Sequence, residues 1–281
     1  RYFNREGRYG EGGAYRDPNS PYRSWYDFDP KYKGGYRSWW GFETLPEVNE
    51  ETPSFVEFIT GEGGVIDTWL RRGAAGFRLD VADELPDAFI EKIRTAVKRV
   101  SPEKFLLGEV WEDATTKFGF DHRRTYLLGK GLDSVMNYPF KNSVLDFVKG
   151  KPAQQAANEI LSICEHYPAP AINTALNFLS THDTERALTV IADEPANGRG
   201  REWQSGRSVT GEAYEEGMLR LRMAYAIIYT LPGLPCLYYG DEIGMQGYRD
   251  PFNRGYYCWD SHEERLKPVL AQLAHLRHSC E

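Results

Sequence analysis

The chain has 281 residues, a formal net charge of −7 and 41% hydrophobic residues. The negative charge argues against a nucleic-acid partner, because proteins that bind nucleic acids carry basic patches. No uncharged apolar run approaches the roughly 20 residues of a membrane-spanning helix. We therefore expect neither a nucleic-acid nor a membrane partner.

Four cysteines are scattered along the chain. They lack the paired spacing of a metal site, and two of them lie inside apolar or aromatic runs. We therefore predict buried free thiols rather than a disulfide framework. These cysteines are Cys164, Cys236, Cys258 and Cys280.

Residues 1–51 are rich in Tyr, Arg, Gly, Asp and Trp and keep neither a helical nor a strand period for long. A stretch of this kind is normally either functional or disordered, and its tryptophans Trp25, Trp39 and Trp40 favour an ordered functional loop. The flat C–H faces of sugar rings stack on aromatic side chains, so loops of this composition suit a carbohydrate. For any single aromatic residue, packing in the core is the alternative.

From Thr52 onwards, short apolar segments alternate with longer amphipathic ones. A first helix is predicted to begin at Pro53 and to end at Gly73. The alternation predicts an α/β fold with parallel strands covered by helices, either a doubly wound sheet or a (β/α) barrel. The later strands are predicted at residues 76–81, 105–110, 134–138, 176–180 and 235–239, and the later helices at 86–100, 140–165, 213–230 and 263–279.

Ionisable residues at strand ends decide between these two architectures. Three predicted strands end in such residues, namely Asp80, Glu109 and the pair His182 and Asp183. Catalytic residues gathered from the ends of several strands are typical of the (β/α)8 TIM barrel. No Gly-x-Gly-x-x-Gly motif follows the first strand, so a dinucleotide-binding sheet has no support. We therefore predict the barrel.

Two of these strands bring together the residue types of a glycosidase. Strand alternation places Arg78 and Asp80 on one face, which we expect to point inward, with a structural ion pair as the alternative. An apolar run ends in Glu109, followed by Trp111. A pair of carboxyl groups about 5–5.5 Å apart is what retaining glycosidases use.

The third strand end has a plainer interpretation as well. Asp183 or Thr184 could serve as a helix N-cap, which would leave Arg186 on the surface. The His182 and Asp183 pair is therefore weak evidence until it is combined with the other two strand ends.

Four separated motifs together resemble glycoside hydrolase family 13, the α-amylase family, and within it the neopullulanase, cyclomaltodextrinase and maltogenic-amylase group. The motifs are GFRLDVADE at residues 76–84, GEVW at 108–111, FLSTHD at 178–183 and LPEVN at 45–49. The segment PGLPCLYYGDEIG at residues 232–244 resembles the last barrel strand and the loop that follows it.

The resemblance implies a retaining α-glucan hydrolase that cleaves α-1,4 bonds, with α-1,6 bonds as an open alternative. Its substrates would be starch, maltooligosaccharides, pullulan or cyclodextrins. Asp80 would be the nucleophile, Glu109 the acid/base and Asp183 the third carboxylate. The residues implied in substrate binding are Arg78, Trp111, Asn137, Tyr138, His182, Asp250 and Arg254.

Plainer alternatives stand beside several of these roles. Asp250 and Arg254 could form a salt bridge in a surface turn. Asn137 and Tyr138 could be packing residues. A non-catalytic relative, such as an amino-acid-transporter heavy chain or a carbohydrate-binding pseudoenzyme, is the alternative for the whole protein, and the three carboxylates argue against it.

The chain also departs from the family pattern, because the motif of the third barrel strand is missing. We therefore expect residues 1–51 to be the loop domain B and residues 52–281 to be strands 4–8 of a partial barrel, without the C-terminal β-sandwich. Unpaired strand edges in such a barrel favour self-association and inactivity of the chain on its own. Any signal peptide would lie upstream, so a cytoplasmic and a secreted location both remain open.

No cofactor is predicted. Many amylases of the family bind calcium through a histidine four residues after the nucleophile, and this chain has Glu84 at that position. The Asp83-Glu84 ending resembles the neopullulanase group, so we do not predict calcium as an obligatory metal.

Overall fold

The computed structural model describes residues 1–280 and, for Cys280, only the backbone. The described chain forms two compact units. The first comprises Arg1–Leu106 and Lys130–Leu132, and the second comprises Leu107–Gly129 and the chain from Asp133 onwards.

Residues 1–52 contain no α-helix and no strand, as their composition predicts. Isolated antiparallel bridges join Tyr26 to Val48 and Ser38 to Pro46. Buried Phe3 and Tyr36 form a small aromatic core with ring centroids 4.6 Å apart. This part is therefore irregular but packed, and its short 3-10 turns are Arg23–Trp25, Lys33–Gly35 and Trp39–Gly41.

The predicted first helix is wrong in its length, because the structure has two helices in its place. α1 spans Pro53–Thr60 and α2 spans Val65–Arg71. Three glycines lie between them, and Gly63 has a φ of 72°, a left-handed conformation that glycine adopts without steric cost. The first unit also contains β1 at Gly76–Leu79, a 3-10 turn at Ala82–Glu84 and α3 at Asp87–Val100.

The second unit contains the parallel pairings expected of alternating strands and helices. β2 at Phe105–Gly108 ends in this unit, and three parallel strands of the unit are two residues long: β5 at Ser134–Val135, β6 at Leu176–Asn177 and β7 at Leu234–Pro235. Leu107 of β2 pairs with Ser134 of β5. A parallel bridge joins Met136 to Leu176 of β6, and β6 pairs with β7 in parallel.

The strands are therefore shorter than predicted, while the main helices lie close to their predicted positions. Four helices, α4 (Tyr138–Val148), α7 (Ala187–Ala192), α9 (Gly211–Thr230) and α10 (Leu266–Cys280), contribute buried side chains to one hydrophobic core of this unit. Leu188, Leu221, Tyr225 and Leu270 are among them. The hairpin of β3 and β4 and three short helices were not predicted. The elements are β3 at Phe118–Gly119, β4 at His122–Arg123, α4 at Tyr138–Val148, α5 at Ala153–His166, α6 at Ala169–Asn173, α7 at Ala187–Ala192, α8 at Arg201–Ser205, α9 at Gly211–Thr230 and α10 at Leu266–Cys280.

The predicted burial of the cysteines is wrong. Cys258 is exposed, Cys164 and Cys236 are half-buried, and these three are free thiols. The side chain of Cys280 lies outside the described residues. Within residues 1–280, no helix combines the length and the apolar character that crossing a bilayer requires.

Arg186 lies in the interior of the second unit, whereas the N-cap alternative placed it on the surface. Its side chain has no exposed area, and its guanidinium donates to Asp241 Oδ1 at 3.0 Å and to the Tyr239 carbonyl at 2.8 Å. The Tyr225 hydroxyl donates to Asp241 Oδ2 at 2.7 Å. This buried network ties α9 to the segment that follows β7.

In the first unit, an ion pair joins α2 to the end of α3. Arg99 donates to Asp67 Oδ1 at 2.8 Å, and the backbone N–H of Gly63 donates to Asp67 Oδ2 at 3.1 Å. Asp67 is buried. The hydrogen bond from Arg99, followed by that from Gly63, holds the pKa of Asp67 below its usual range.

We expect Asp67→Asn to lower the free energy of unfolding by about 1.5–3 kcal/mol at pH 7, because a hydrogen-bonded carboxylate is lost. Since the pKa of Asp67 is lower in the folded state, its contribution is present above about pH 4 and is lost as the pH falls further. The difference between wild type and variant should therefore shrink below pH 4 in urea unfolding.

The matched control is Glu6→Gln, which changes an acid in the exposed ion pair with Arg8. We expect no measurable change from it. Equal losses in the two variants, or a difference that does not depend on pH, would contradict this account of Asp67.

Candidate active site

Asp80 directly follows β1 and is held by Arg78. Arg78 NH1 donates to Asp80 Oδ1 at 2.6 Å, so the ion pair named as the alternative for these two residues is present. The inward orientation predicted for Asp80 is wrong. The Asp80 side chain is 75% exposed, because β1 ends at Leu79 and Asp80 lies in the turn beyond it.

The turn after Asp80 is strained. Val81 has φ 46° and ψ 50°, a left-handed conformation that is a genuine outlier for a β-branched residue. It directs the chain into the 3-10 turn Ala82–Glu84. Residues in such conformations cost about 1–3 kcal/mol and concentrate at active sites and switch regions.

Glu84, at the end of this turn, accepts hydrogen bonds from two tryptophans. The indole N–H of Trp39 lies 2.7 Å from Oε2, and that of Trp40 lies 2.9 Å from Oε1. From the sequence, Glu84 stands where many family members have a calcium-binding histidine, and it belongs to the Asp83-Glu84 ending. These contacts were not predicted, because 45 and 44 residues separate Glu84 from its partners.

Glu109 lies one residue beyond β2 and is buried, with 4% of its surface exposed. The indole N–H of Trp111 donates to Glu109 Oε1 at 3.2 Å, so these two predicted site residues are in contact. The Trp111 ring stacks on Tyr138, with centroids 4.3 Å apart and an interplanar angle of 12°. An aromatic stack therefore fixes one oxygen of the predicted acid/base.

Asn137 and Tyr138 are buried, and the structure favours the packing alternative for both. Asn137 Oδ1 accepts from the Phe140 N–H at 3.2 Å and so caps α4, and its amide group donates to Asn177 at 2.9 Å. Tyr138 packs between Trp111 and Phe178. Their assignment to substrate binding stays a prediction without geometric support.

Asp183 lies among three other predicted site residues. His182 Nε2 is 2.9 Å from Asp183 Oδ2, and Arg254 NH2 is 3.5 Å from Asp183 Oδ1. Arg254 Nε also contacts Asp250 Oδ2 at 2.7 Å. The salt bridge of the surface-turn alternative is therefore present, but the same arginine also reaches Asp183.

The N-cap alternative for Asp183 and Thr184 is wrong. α7 begins at Ala187, and Arg186 at its N-cap position makes no side-chain capping bond. The Ala187 N–H instead donates to the hydroxyl of Ser180 at 2.8 Å. Neither Asp183 nor Thr184 is therefore needed to start the helix.

Asn253 holds the Asp183 loop and was not predicted. It is fully buried, and its side-chain amide donates to the carbonyls of His182 and Thr184, both at 2.8 Å, and of Thr181 at 3.2 Å. A possible signal was its position between Asp250 and Arg254. Asn253 therefore holds the loop that carries Asp183 through the backbone carbonyls of that loop.

The three predicted catalytic carboxylates are distributed over the two units, with Asp80 in the first and Glu109 and Asp183 in the second. Their convergence on one sugar remains a prediction. Within residues 1–280, no group of three or more His, Cys, Asp or Glu side chains is arranged to hold a metal ion.

The protein-family model of the α-amylase catalytic domain matches residues 2–273 of the chain. An amylopullulanase of Thermoanaerobacter thermohydrosulfuricus is 33% identical over 98% of this chain and 20% of its own length. Neopullulanase 2 of Thermoactinomyces vulgaris is 32% identical over 83% of this chain and 35% of its own length. The chain thus spans about a fifth to a third of these two relatives.

Solved structures agree with these matches. The type III pullulan hydrolase from Thermococcus kodakarensis superposes with a TM-score of 0.78 at 26% identity, covering 94% of this chain and 44% of that one. A cyclic α-maltosyl-(1→6)-maltose hydrolase from Arthrobacter globiformis superposes with a TM-score of 0.76 at 25% identity, and the match covers 94% of this chain and 54% of that one. These neighbours confirm the predicted α/β fold of the (β/α)8-barrel type. The chain belongs to the α-amylase family, glycoside hydrolase family 13.

Proposed function

We propose that the protein is a retaining α-glucan hydrolase that cleaves α-1,4 and α-1,6 glucosidic bonds in starch, maltooligosaccharides, pullulan or cyclodextrins. One observation carries the proposal: each predicted catalytic carboxylate has its own N–H partner. Arg78 holds Asp80, Trp111 holds Glu109, and His182 and Arg254 hold Asp183. The names of the relatives, which include an amylopullulanase and a neopullulanase, support the substrate class.

The reaction proceeds in two displacements. In the first, Asp80 forms a bond to the anomeric carbon while the bond to the leaving oxygen breaks, and Glu109 gives its proton to that oxygen. In the second, Glu109 takes a proton from water, whose oxygen attacks the anomeric carbon and releases Asp80. Two inversions at the same carbon retain its configuration.

The partners of the carboxylates determine how each one acts. The Arg78 guanidinium donates to Oδ1 of Asp80 and leaves Oδ2 for attack on the sugar. His182, Asp183 and Arg254 supply charged and polar groups for the hydroxyls of the ring as positive charge develops on it. Because Asn253 fixes the backbone of this loop, these groups are preorganised.

Self-association through exposed strand edges, a cytoplasmic or secreted location and the absence of an obligatory metal stay predictions. Sedimentation analysis of the purified protein tests the first of them. Hydrolysis assays after dialysis against a chelator test the third.

We expect Asp80→Asn to lower kcat on maltooligosaccharides and pullulan by at least about 10³-fold, because the amide cannot act as the nucleophile. Release of reducing ends is the measurement. The matched control is Asp29→Asn in the same unit, which changes an acid paired only with its neighbour Lys31 and should keep kcat within about twofold. Activity that survives Asp80→Asn would remove the nucleophile assignment.

We expect Asn253→Ala to lower kcat/KM by about 10- to 100-fold, because the loop of His182 and Asp183 loses its anchor and small misplacements are costly. Asn253→Asp should be more harmful, since it points a carboxylate at three carbonyl oxygens. Steady-state kinetics on maltooligosaccharides, with a thermal melt of each variant, measures both effects. Wild-type kcat/KM in both variants would contradict the anchoring role.

A further inference from the structure

A short loop in the first unit has its own backbone frame. Ser38 and Pro46 form an antiparallel bridge, and the Trp39 N–H donates to the Leu45 carbonyl at 2.9 Å. The Phe42 N–H donates to the Trp39 carbonyl, also at 2.9 Å. We call residues 38–46 the aromatic loop. Because these bonds close it, its side chains project from a fixed backbone.

The aromatic loop exposes large apolar rings to solvent. Trp40 is 77% exposed and Phe42 is 56% exposed. The Trp39 ring lies between them, with centroids 5.7 Å from Trp40 and 6.1 Å from Phe42. Isolated exposed apolar residues are ordinary, but a contiguous exposed group of this kind marks a binding surface.

The orientation of these rings is fixed at their polar edges. Glu84 accepts from the indole N–H groups of both Trp39 and Trp40, one on each carboxylate oxygen. Ordering two large side chains costs conformational entropy. Trp40 recovers little of that cost through burial, because most of its ring faces solvent.

The backbone at Trp40 is strained as well. Its φ of 51° and ψ of 25° lie in the left-handed region, which is an outlier for a bulky residue, and Gly41 follows with φ 79°. Such a conformation costs about 1–3 kcal/mol. The strained backbone at Trp40 leaves its ring exposed to solvent instead of buried, which indicates a ligand-binding surface.

The position of Glu84 places this surface near the predicted nucleophile. Glu84 comes four residues after Asp80, so the two Cα atoms lie at most about 14 Å apart even in an extended chain. The 3-10 turn Ala82–Glu84 shortens that separation. An oligosaccharide bound at Asp80 therefore reaches the aromatic loop within a few glucose units.

We propose that Trp40, supported by Trp39 and Phe42, is a stacking platform for a glucose ring a few units from the bond that Asp80 attacks, and that Glu84 is the positioning residue of this platform. The inference rests on the proposed function and adds to it a determinant of substrate length. A chain long enough to span both places gains the stacking contact. A disaccharide held at the cleavage point does not.

The test measures sugar binding by calorimetry in an Asp80→Asn background, where hydrolysis does not consume the ligand. Adding Trp40→Ala should weaken maltoheptaose binding by about 3- to 10-fold, the size of an aromatic contact, and leave maltose binding unchanged. Trp40→Phe should restore most of the affinity. Trp69→Ala, which changes an exposed aromatic residue of α2 in the same unit, is the control and should change neither sugar.

Glu84 has a separate readout. Glu84→Ala should weaken maltoheptaose binding as Trp40→Ala does, and it should also change the near-ultraviolet circular dichroism without sugar, because both indoles are released. Glu84→Gln keeps one acceptor oxygen and should give an intermediate affinity.

The platform and the proposed function fail in different ways. Hydrolysis of maltooligosaccharides by the wild type, together with unchanged maltoheptaose affinity in Trp40→Ala, would overturn the platform alone. An equal loss of maltose and maltoheptaose binding would also overturn it, because the effect would then lie at the cleavage point. A wild type that neither binds nor hydrolyses these sugars would overturn the proposed function and the platform with it.

Discussion

The left-handed turn at Val81 is the constraint on which the first unit's chemistry depends. It ends β1 so that Asp80 faces solvent beside Arg78, and it sends the chain through Ala82–Glu84 towards the tryptophans. A β-branched residue rarely adopts this conformation unless its surroundings enforce it. The same strained residue therefore lies between the proposed nucleophile and Glu84, the carboxylate that accepts from both indoles.

In the second unit, Asp183 is held in a different way. Its loop has no strained residue like Val81, and its geometry comes from the neighbouring segment, where Asn253 binds the backbone and Arg254 reaches the carboxylate. Separating the two tasks between adjacent residues has a physical advantage. The amide satisfies buried carbonyls, while the charged guanidinium stays accessible to a ligand.

The sequence predicted what local pattern and motif encode, and it failed where distant residues decide. The places of Asp80 and Glu109, one residue beyond β1 and β2, were predictable, because the strand patterns before them are local. Asp183 lies six residues beyond β6 and was found from its motif. The burial of Arg186 was not, since its partner Asp241 lies 55 residues away. The division of α1 from α2 was missed, because the apolar pattern continues on both sides of the glycines. Strands of two residues, such as those of the β3 and β4 hairpin, are too short to show an alternation.

The shared acceptor at Glu84 has an evolutionary consequence. One carboxylate satisfies two indoles, so Trp39, Trp40 and Glu84 form a three-residue unit rather than three independent contacts. Replacing any one changes what the other two contribute, which makes their energies non-additive. Epistasis of this kind favours lineages in which the three positions are exchanged together, and single replacements at them should be rarer than their exposure to solvent would suggest.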